Sequence, residues 1–213
     1  MCLVGGFSQS RYLQHRLKQH YESKYTFVIP QRPILSVIEG AAQLARIPSF
    51  IASRIVKCTY GTSCGKSIGY ARDRPDKFSD DHINKYKYIS DINNKEYVSN
   101  CFRTFVNKDE EVKVGQMVQH SYNKSQKNQK KAHAAIFCSE ERDPGITNGC
   151  RCLGSIEVPF PEDFDDIKDS LFVRFYFGET IIRVTIIIKG KEYLEKEIQI
   201  KYEYGSGQSN MVE

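Results

Sequence analysis

Gly5 and Gly6 stand between an apolar run, Met1-Cys2-Leu3-Val4, and a helical pattern that begins a few residues later. A glycine pair at such a junction has no Cβ in the way, so backbone N–H groups and the positive end of the helix dipole can reach a ligand directly. The same spacing also serves a plain strand-to-helix turn with no ligand. The other residues able to do chemistry are scattered. Cys58 and Cys64, and likewise Cys150 and Cys152, lack a second pair at chelating distance, so no metal is expected, and all seven cysteines are read as reduced thiols. His15, His20, His82, His120 and His133 have no acid or cysteine at catalytic spacing, so no catalytic residue is expected. Glu162-Asp163-Phe164-Asp165-Asp166 lacks the glycine and bidentate glutamate of a calcium loop and reads as a loop beside a helical turn. The lysines at 124, 127, 130 and 131 fall between two predicted strands with only Tyr122 near, which fits a solvated hairpin loop better than a nucleic-acid tract.

The elements that position these residues belong to a chain of 213 residues, long enough for one domain or two small ones. Its net charge of +5 spreads 31 Lys and Arg among 26 Asp and Glu, which leaves no general footprint for nucleic acid. The sequence has no apolar run of membrane-spanning length and no secretory leader, so a cytoplasmic protein without a membrane span is expected. A chain that opens so close to a glycine turn is expected to be part of a longer protein.

The first part, residues 1–55, reads as strand, helix, strand, helix. Leu13, Leu17 and Tyr21 recur four apart within Gln9 to Ser23, with Ser8 or Ser10 as N-cap, and this helix is expected to pack on a sheet. Thr26-Phe27-Val28-Ile29 is a short buried-strand pattern closed by Pro30. Pro33 suits a first helical turn, and Ile34, Val37, Ile38, Ala41 and Leu44 form one apolar stripe behind it.

Leu3-Val4-Gly5-Gly6-Phe7-Ser8, with the helix after it and Pro33 through Gly40-Ala41-Ala42, resembles the final quarter of the actin-like ATPase domain of the 70-kDa heat-shock protein family. Val28-Ile29-Pro30-Gln31-Arg32-Pro33 narrows the resemblance to a divergent branch of that family. The resemblance implies that Gly5, Gly6, Phe7 and Gln9 border an adenosine pocket, with Gln9 where common members carry an arginine and Ile34 where they carry an acid. Phe7 then offers a π-face to adenine. It also implies that the phosphate-binding glycine turns, metal-orienting aspartates and lysine of such ATPases precede residue 1. Phosphoryl transfer depends on those parts, so ATP is a cofactor of a longer parent only and this chain is no enzyme.

From Val56 the pattern alternates. Strand-like runs at 56–60, 101–106, 117–122, 133–138, 152–158, 171–177, 180–189 and 193–202 make the fold class α+β, a βαβα piece followed by an antiparallel β-sandwich over 56–204 and a tail at 205–213. A turn at Gly178-Glu179 pairs Phe175 with Ile182, Val173 with Val184 and Leu171 with Ile186, and sets Arg174 opposite Arg183. Val184 then faces the core and Thr185 faces out. A three-residue loop, Gly190-Lys191-Glu192, places Leu194, Ile198 and Ile200 opposite Ile188, Val184 and Ile182, with Glu197 diagonal to Arg183; a two-residue loop sends Glu195 and Glu197 into the core.

Residues 102–122, 133–158 and the later hairpin resemble the peptide-binding β-domain of the same family, which holds an extended apolar client between loops through backbone hydrogen bonds and a hydrophobic pocket. A polar insertion, 71–100, replaces a short pocket-forming turn; Ser49 to Thr59 does not match the acidic-leucine linker; no helical lid is expected in the nine residues after Tyr204. The resemblance implies chaperone-like binding of polypeptide clients. The alternative is a nucleotide-independent β-sandwich adaptor for a folded protein partner.

Overall fold

The computed structural model describes residues 1–47 and 51–202, so the expected tail at 205–213 and the linker residue Ser49 lie outside the described residues. The architecture is α+β with antiparallel sheets, and the chain divides into two compact units at Ile51 and Ala52. Among the described residues no helix is long and apolar enough to cross a membrane.

In the first unit the order strand, helix, strand, helix is kept, but the strands shrink to one parallel bridge, Cys2 to Val28. Leu3 N–H donates to the Val28 carbonyl (3.0 Å) and Val28 N–H to that of Met1 (2.9 Å). Helix α1 (Arg11–Tyr21) starts later than its apolar spacing indicates because a 3-10 turn, Gly6–Gln9, takes up the approach. Ser10 is the N-cap, its hydroxyl accepting from Leu13 N–H at 3.4 Å. Helix α2 (Ser36–Arg46) leaves Pro33 and Ile34 in the preceding turn. Its stripe is bare: Ile38 is 66% exposed and Val37 61%. Only Leu3, Ser8 and Pro33 are buried among the unit's described residues, so the unit itself offers the stripe nothing to pack on.

The second unit carries strands β1 (Ser53–Ile55) and β2 (Thr59–Ser67), helices α3 (Ile68–Arg72) and α4 (Asp80–Tyr86), and strands β3 (Lys87–Ile89) and β4 (Glu96–Val106). Strands β5 (Glu111–Lys113), β6 (Met117–Tyr122), β7 (Lys131–Ser139) and β8 (Arg151–Pro159) follow, then β9 (Leu171–Tyr176), β10 (Ile181–Ile188), β11 (Lys191–Glu192) and β12 (Ile198–Lys201). One sheet runs β3-β4-β2-β7-β8, the other β11-β10-β9-β6 with β12 also on β10, and β1 pairs with β5. Their inner faces share one core: Tyr60, Ile136 and Val158 from the first sheet meet Phe175, Ile186 and Ile200 from the second.

The 71–100 insertion is folded rather than merely polar. Ser79 caps α4, accepting from His82 N–H at 3.2 Å, and Ala71, Phe78, Ile83, Val98 and Cys101 close a second small core. The lysine-rich segment at 124–131 is likewise no hairpin loop, since β6 and β7 lie in different sheets. Lys124 reaches Asp166 at 2.8 Å with its side chain only 10% exposed.

The β9–β10 register differs from expectation by two residues: Val184 opposes Phe175, Ile186 opposes Val173 and Ile188 opposes Leu171. Phe177 is the reason. It is fully buried, its N–H donates to Gln116 O (2.8 Å) and its carbonyl accepts from Gly115 N–H (3.1 Å), so its backbone extends the β6 ladder and is not free to close a tight turn. Gly178 (φ 88°) turns the chain where a Cβ would meet Lys113 O at 2.2 Å. A shift of two keeps every side chain on its face, so Val184 remains in the core, and it separates the arginines: Arg174 opposes Thr185 and Arg183 opposes Tyr176. The β10–β11 connection is the two-residue turn Lys189-Gly190, both with positive φ (49° and 78°). A 3-10 turn, Leu194–Lys196, then absorbs three residues, so Ile198 and Ile200 oppose Val184 and Ile182 as expected while Leu194 is left exposed. Glu197 meets Arg183 at 3.2 Å.

Thr185 does not face solvent. It is wholly buried, and its hydroxyl donates to Glu192 Oε1 at 2.6 Å, beside the Tyr176 hydroxyl at 2.6 Å from the same oxygen and Arg174 Nη1 at 3.1 Å from Oε2. Burial works to raise the Glu192 carboxyl, but hydrogen bonds from Thr185 and Tyr176 and the charges of Arg174 and Arg183 hold it below the usual glutamate range. A carboxyl with a depressed folded value contributes stability above its unfolded value, and that stability is lost as pH falls through the folded one. Glu192→Gln is therefore expected to lose about 1–3 kcal/mol at neutral pH, with the gap to wild type closing in acid denaturation below the glutamate range. Thr185→Asp, which sets a second carboxylate against Glu192, is expected to unfold the unit as Val184→Asp does, checked by thermal melts of both variants.

Candidate functional site

Cys64 and Gly65 lie in the second half of β2, at its break in register with β4, and floor a cleft of two adjoining cavities, each about 350 Å³. One wall comes from the insertion, as β3 and the turn after it, and the other from the end of β6 and the connection to β7. Tyr88, Tyr122, Asn123 and Ser125 line both cavities.

Close approach sets the first wall. Gly65 lets the Tyr88 hydroxyl lie on the β2 backbone, since a Cβ there would stand 2.6 Å from that oxygen. The Tyr88 ring stacks on Tyr97 (5.8 Å between centroids, 26° between planes), directly across the β3–β4 pair, and Asn93 Nδ2 donates to the Tyr97 hydroxyl at 2.9 Å. In the second wall, the Tyr122 hydroxyl shares a 2.6 Å hydrogen bond with Thr62, and Arg103 on β4 lies over the Tyr122 ring at 5.0 Å while donating to Ser121 O at 2.9 Å. Burial pushes the Tyr122 phenol far above its ordinary value, so it stays a neutral hydroxyl.

A polar latch joins the walls. Ser90 Oγ donates to Ser125 O (2.9 Å), Lys127 N–H to Asp91 Oδ1 (2.8 Å) and Gln126 Nε2 to Ile89 O (3.4 Å). Ser90 is 3% exposed, so the first of these bonds is shielded from competing water.

No family model matches the chain. Heat shock 70 kDa protein 12A of Mus musculus is 25% identical over 200 residues, which cover 88% of this chain and 27% of that protein. The Homo sapiens proteins heat shock 70 kDa protein 12B (24% over 199 residues) and 12A (25% over 198 residues) match with the same coverage. This chain is similar to heat shock 70 kDa protein 12. It spans about a quarter of the length of these relatives, 27%.

Of the residues singled out in the sequence, Gly5, Gly6, Phe7 and Gln9 come together on the 3-10 turn of the first unit. Gly5 (φ 88°) spends its N–H on Pro33 O (2.8 Å), and Phe7 projects outward, 79% exposed. These four residues line neither cavity of the cleft. His82 and His120 direct ring nitrogens at backbone carbonyls, of Ser99 (3.3 Å) and Thr104 (2.9 Å), and burial holds both below the usual histidine value, so the rings remain neutral donors. Sequence reasoning passed over Tyr88, Tyr97 and Arg103, and weighed Tyr122 only as the aromatic beside the lysine run. The available signal was the tyrosine and asparagine clustering at 86–97, two strands' length from a run of amides at 123–129.

Cys64 and Cys101 oppose each other across β2 and β4, and burial raises both thiols, Cys101 to about 12. All seven cysteines are thiols outside any disulfide. Under native conditions at mildly alkaline pH, iodoacetamide is expected to label the exposed Cys2 and Cys152 first and to leave Cys58, Cys101 and Cys138 unlabelled. Peptide mass mapping reads the order, and a count of seven after unfolding without reductant completes it.

Proposed function

We propose that the cleft binds extended polypeptide segments in a chaperone-like manner, as part of an atypical 70-kDa heat-shock-type protein. The observation that carries this reading is the cleft itself. It opens between two long connections at one end of the sandwich, next to β6, an edge strand of its sheet. An edge strand presents unpaired backbone groups that an extended segment can join, and the flanking side chains then add selectivity. The relatives' names, heat shock proteins all, support the same reading.

ATP, in this proposal, is bound only by a longer parent. Gly5, Gly6, Phe7 and Gln9 then form one wall of the adenosine pocket, and the bare stripe of α2 is covered by the rest of an actin-like domain. This chain alone neither hydrolyses ATP nor binds it more tightly than roughly millimolar, because one wall does not position a phosphate chain.

The test pairs a peptide array with isothermal titration, both on the full chain. Extended peptides are expected to bind with dissociation constants on the order of micromolar, to be displaced by an unfolded protein and to be indifferent to its folded form, while ATP gives no heat. Gly65→Val, which forces the Tyr88 hydroxyl off β2 into the cleft, is expected to weaken peptide binding roughly tenfold or more without changing the melting of the sandwich core. A blank array together with capture of one folded partner would replace this reading by the adaptor.

A further inference from the structure

The lining of the cleft differs from an apolar pocket. Hydroxyls and amides dominate it, tyrosines supply the rings, and aliphatic side chains are confined largely to Leu171 and Val173 at the inner end of one cavity and Ile92 and Ile167 at the edge of the other. An aliphatic anchor entering here would meet polar groups that lose water without gaining a partner.

Charge narrows the occupant further. The Lys, Arg, Asp and Glu side chains along the two cavities are Arg103, Lys124 and Asp166, and the His133 imidazole lines one of them as well. Lys124 and Asp166 neutralise each other at 2.8 Å. Arg103 takes part in no ion pair among the described residues. One of its five N–H donors serves Ser121 O and one face of its guanidinium lies on Tyr122, which fixes the group in place and leaves the remaining N–H edges unspent. A held guanidinium with a free edge is suited to bidentate pairing with a carboxylate.

We propose, resting on the peptide-binding reading above, that the segment held in the cleft is acidic, and that its carboxylate pairs with Arg103 while its neighbours meet the hydroxyl and amide lining. Selectivity then runs opposite to that of a site built for aliphatic chains. Lysine-rich and leucine-rich segments are poor occupants, the first through like charge and the second through the unpaired polar lining.

Fluorescence anisotropy on the full chain decides this with labelled peptides that share a Ser/Asn/Tyr frame and differ only in a central Glu, Gln or Leu. The Glu peptide is expected to bind on the order of tenfold more tightly than the Gln and Leu peptides, with the advantage shrinking as salt is raised. Arg103→Met is expected to abolish the Glu advantage and leave the affinity for the Gln peptide unchanged, and Arg103→Lys to restore part of it. The comparison among peptides on the unaltered chain stands even where Arg103→Met misfolds. Equal binding of all three peptides, or preference for Leu, would overturn the acidic selectivity and leave peptide binding standing; absence of binding by every peptide would overturn both.

Discussion

Phe105 and Phe175 stack with ring centroids 4.1 Å apart, one from each sheet, and the whole second unit is arranged around that contact. Phe175 is fully buried and also stacks on Phe177 at 5.8 Å, so the aromatic column runs from the middle of the core to the β9–β10 turn. It commits Phe177 to the interior, and the turn must lengthen around it. It also sets β4 and β6 side by side at the edge where the sheets meet. That is why Arg103 of β4 can reach Ser121 O and why His120 of β6 can reach Thr104 O. The cleft forms at the end of this edge, where the turn after β3 and the segment leaving β6 close on each other.

Those closing segments are held by hydrogen bonds rather than by apolar contact. Backbone and side-chain donors of 89–91 and 125–127 exchange bonds in both directions, and only Ser90 is well shielded. Hydrogen bonds at partly exposed positions compete with water and contribute modestly, so such a latch opens far more readily than the core beneath it. The rigid floor at Thr62–Gly65 and the openable latch together describe a site that admits a segment without unfolding the sandwich.

How much of this was legible in the sequence depends on whether period or partner choice decided it. The two-residue period placed Val173, Val184, Ile198 and Ile200 in the core correctly, because a shift of two residues leaves the faces unchanged. The partner of each residue was not legible, since turn length was settled by Phe177 bonding to Gln116, some sixty residues away in sequence. Thr185 read as an outward position because alternation says nothing of what lies across the outer face, where Glu192 folds back over it. The insertion read as polar because its apolar residues, Ala71, Phe78, Ile83 and Val98, follow no single period and need Cys101 from β4 to close a core. In the first unit the helical spacings were right and the strands overstated, for a parallel pair with no further strand beside it among the described residues reduces to one bridge. The cleft was illegible for the same reason as the turn: its walls meet through bonds spanning 35 to 37 residues.

The central claim is that extended segments occupy the cleft between the insertion and the β6–β7 connection. Hydrogen exchange on the full chain, with and without a saturating extended peptide, tests it most directly. The account predicts that slowing concentrates at the amides of residues 87–97 and 121–129, with little change at 182–188, which the core already protects. Slowing confined to residues 1–47, or to 151–159 at the opposite edge of the first sheet, with 87–97 and 121–129 unchanged, would contradict it.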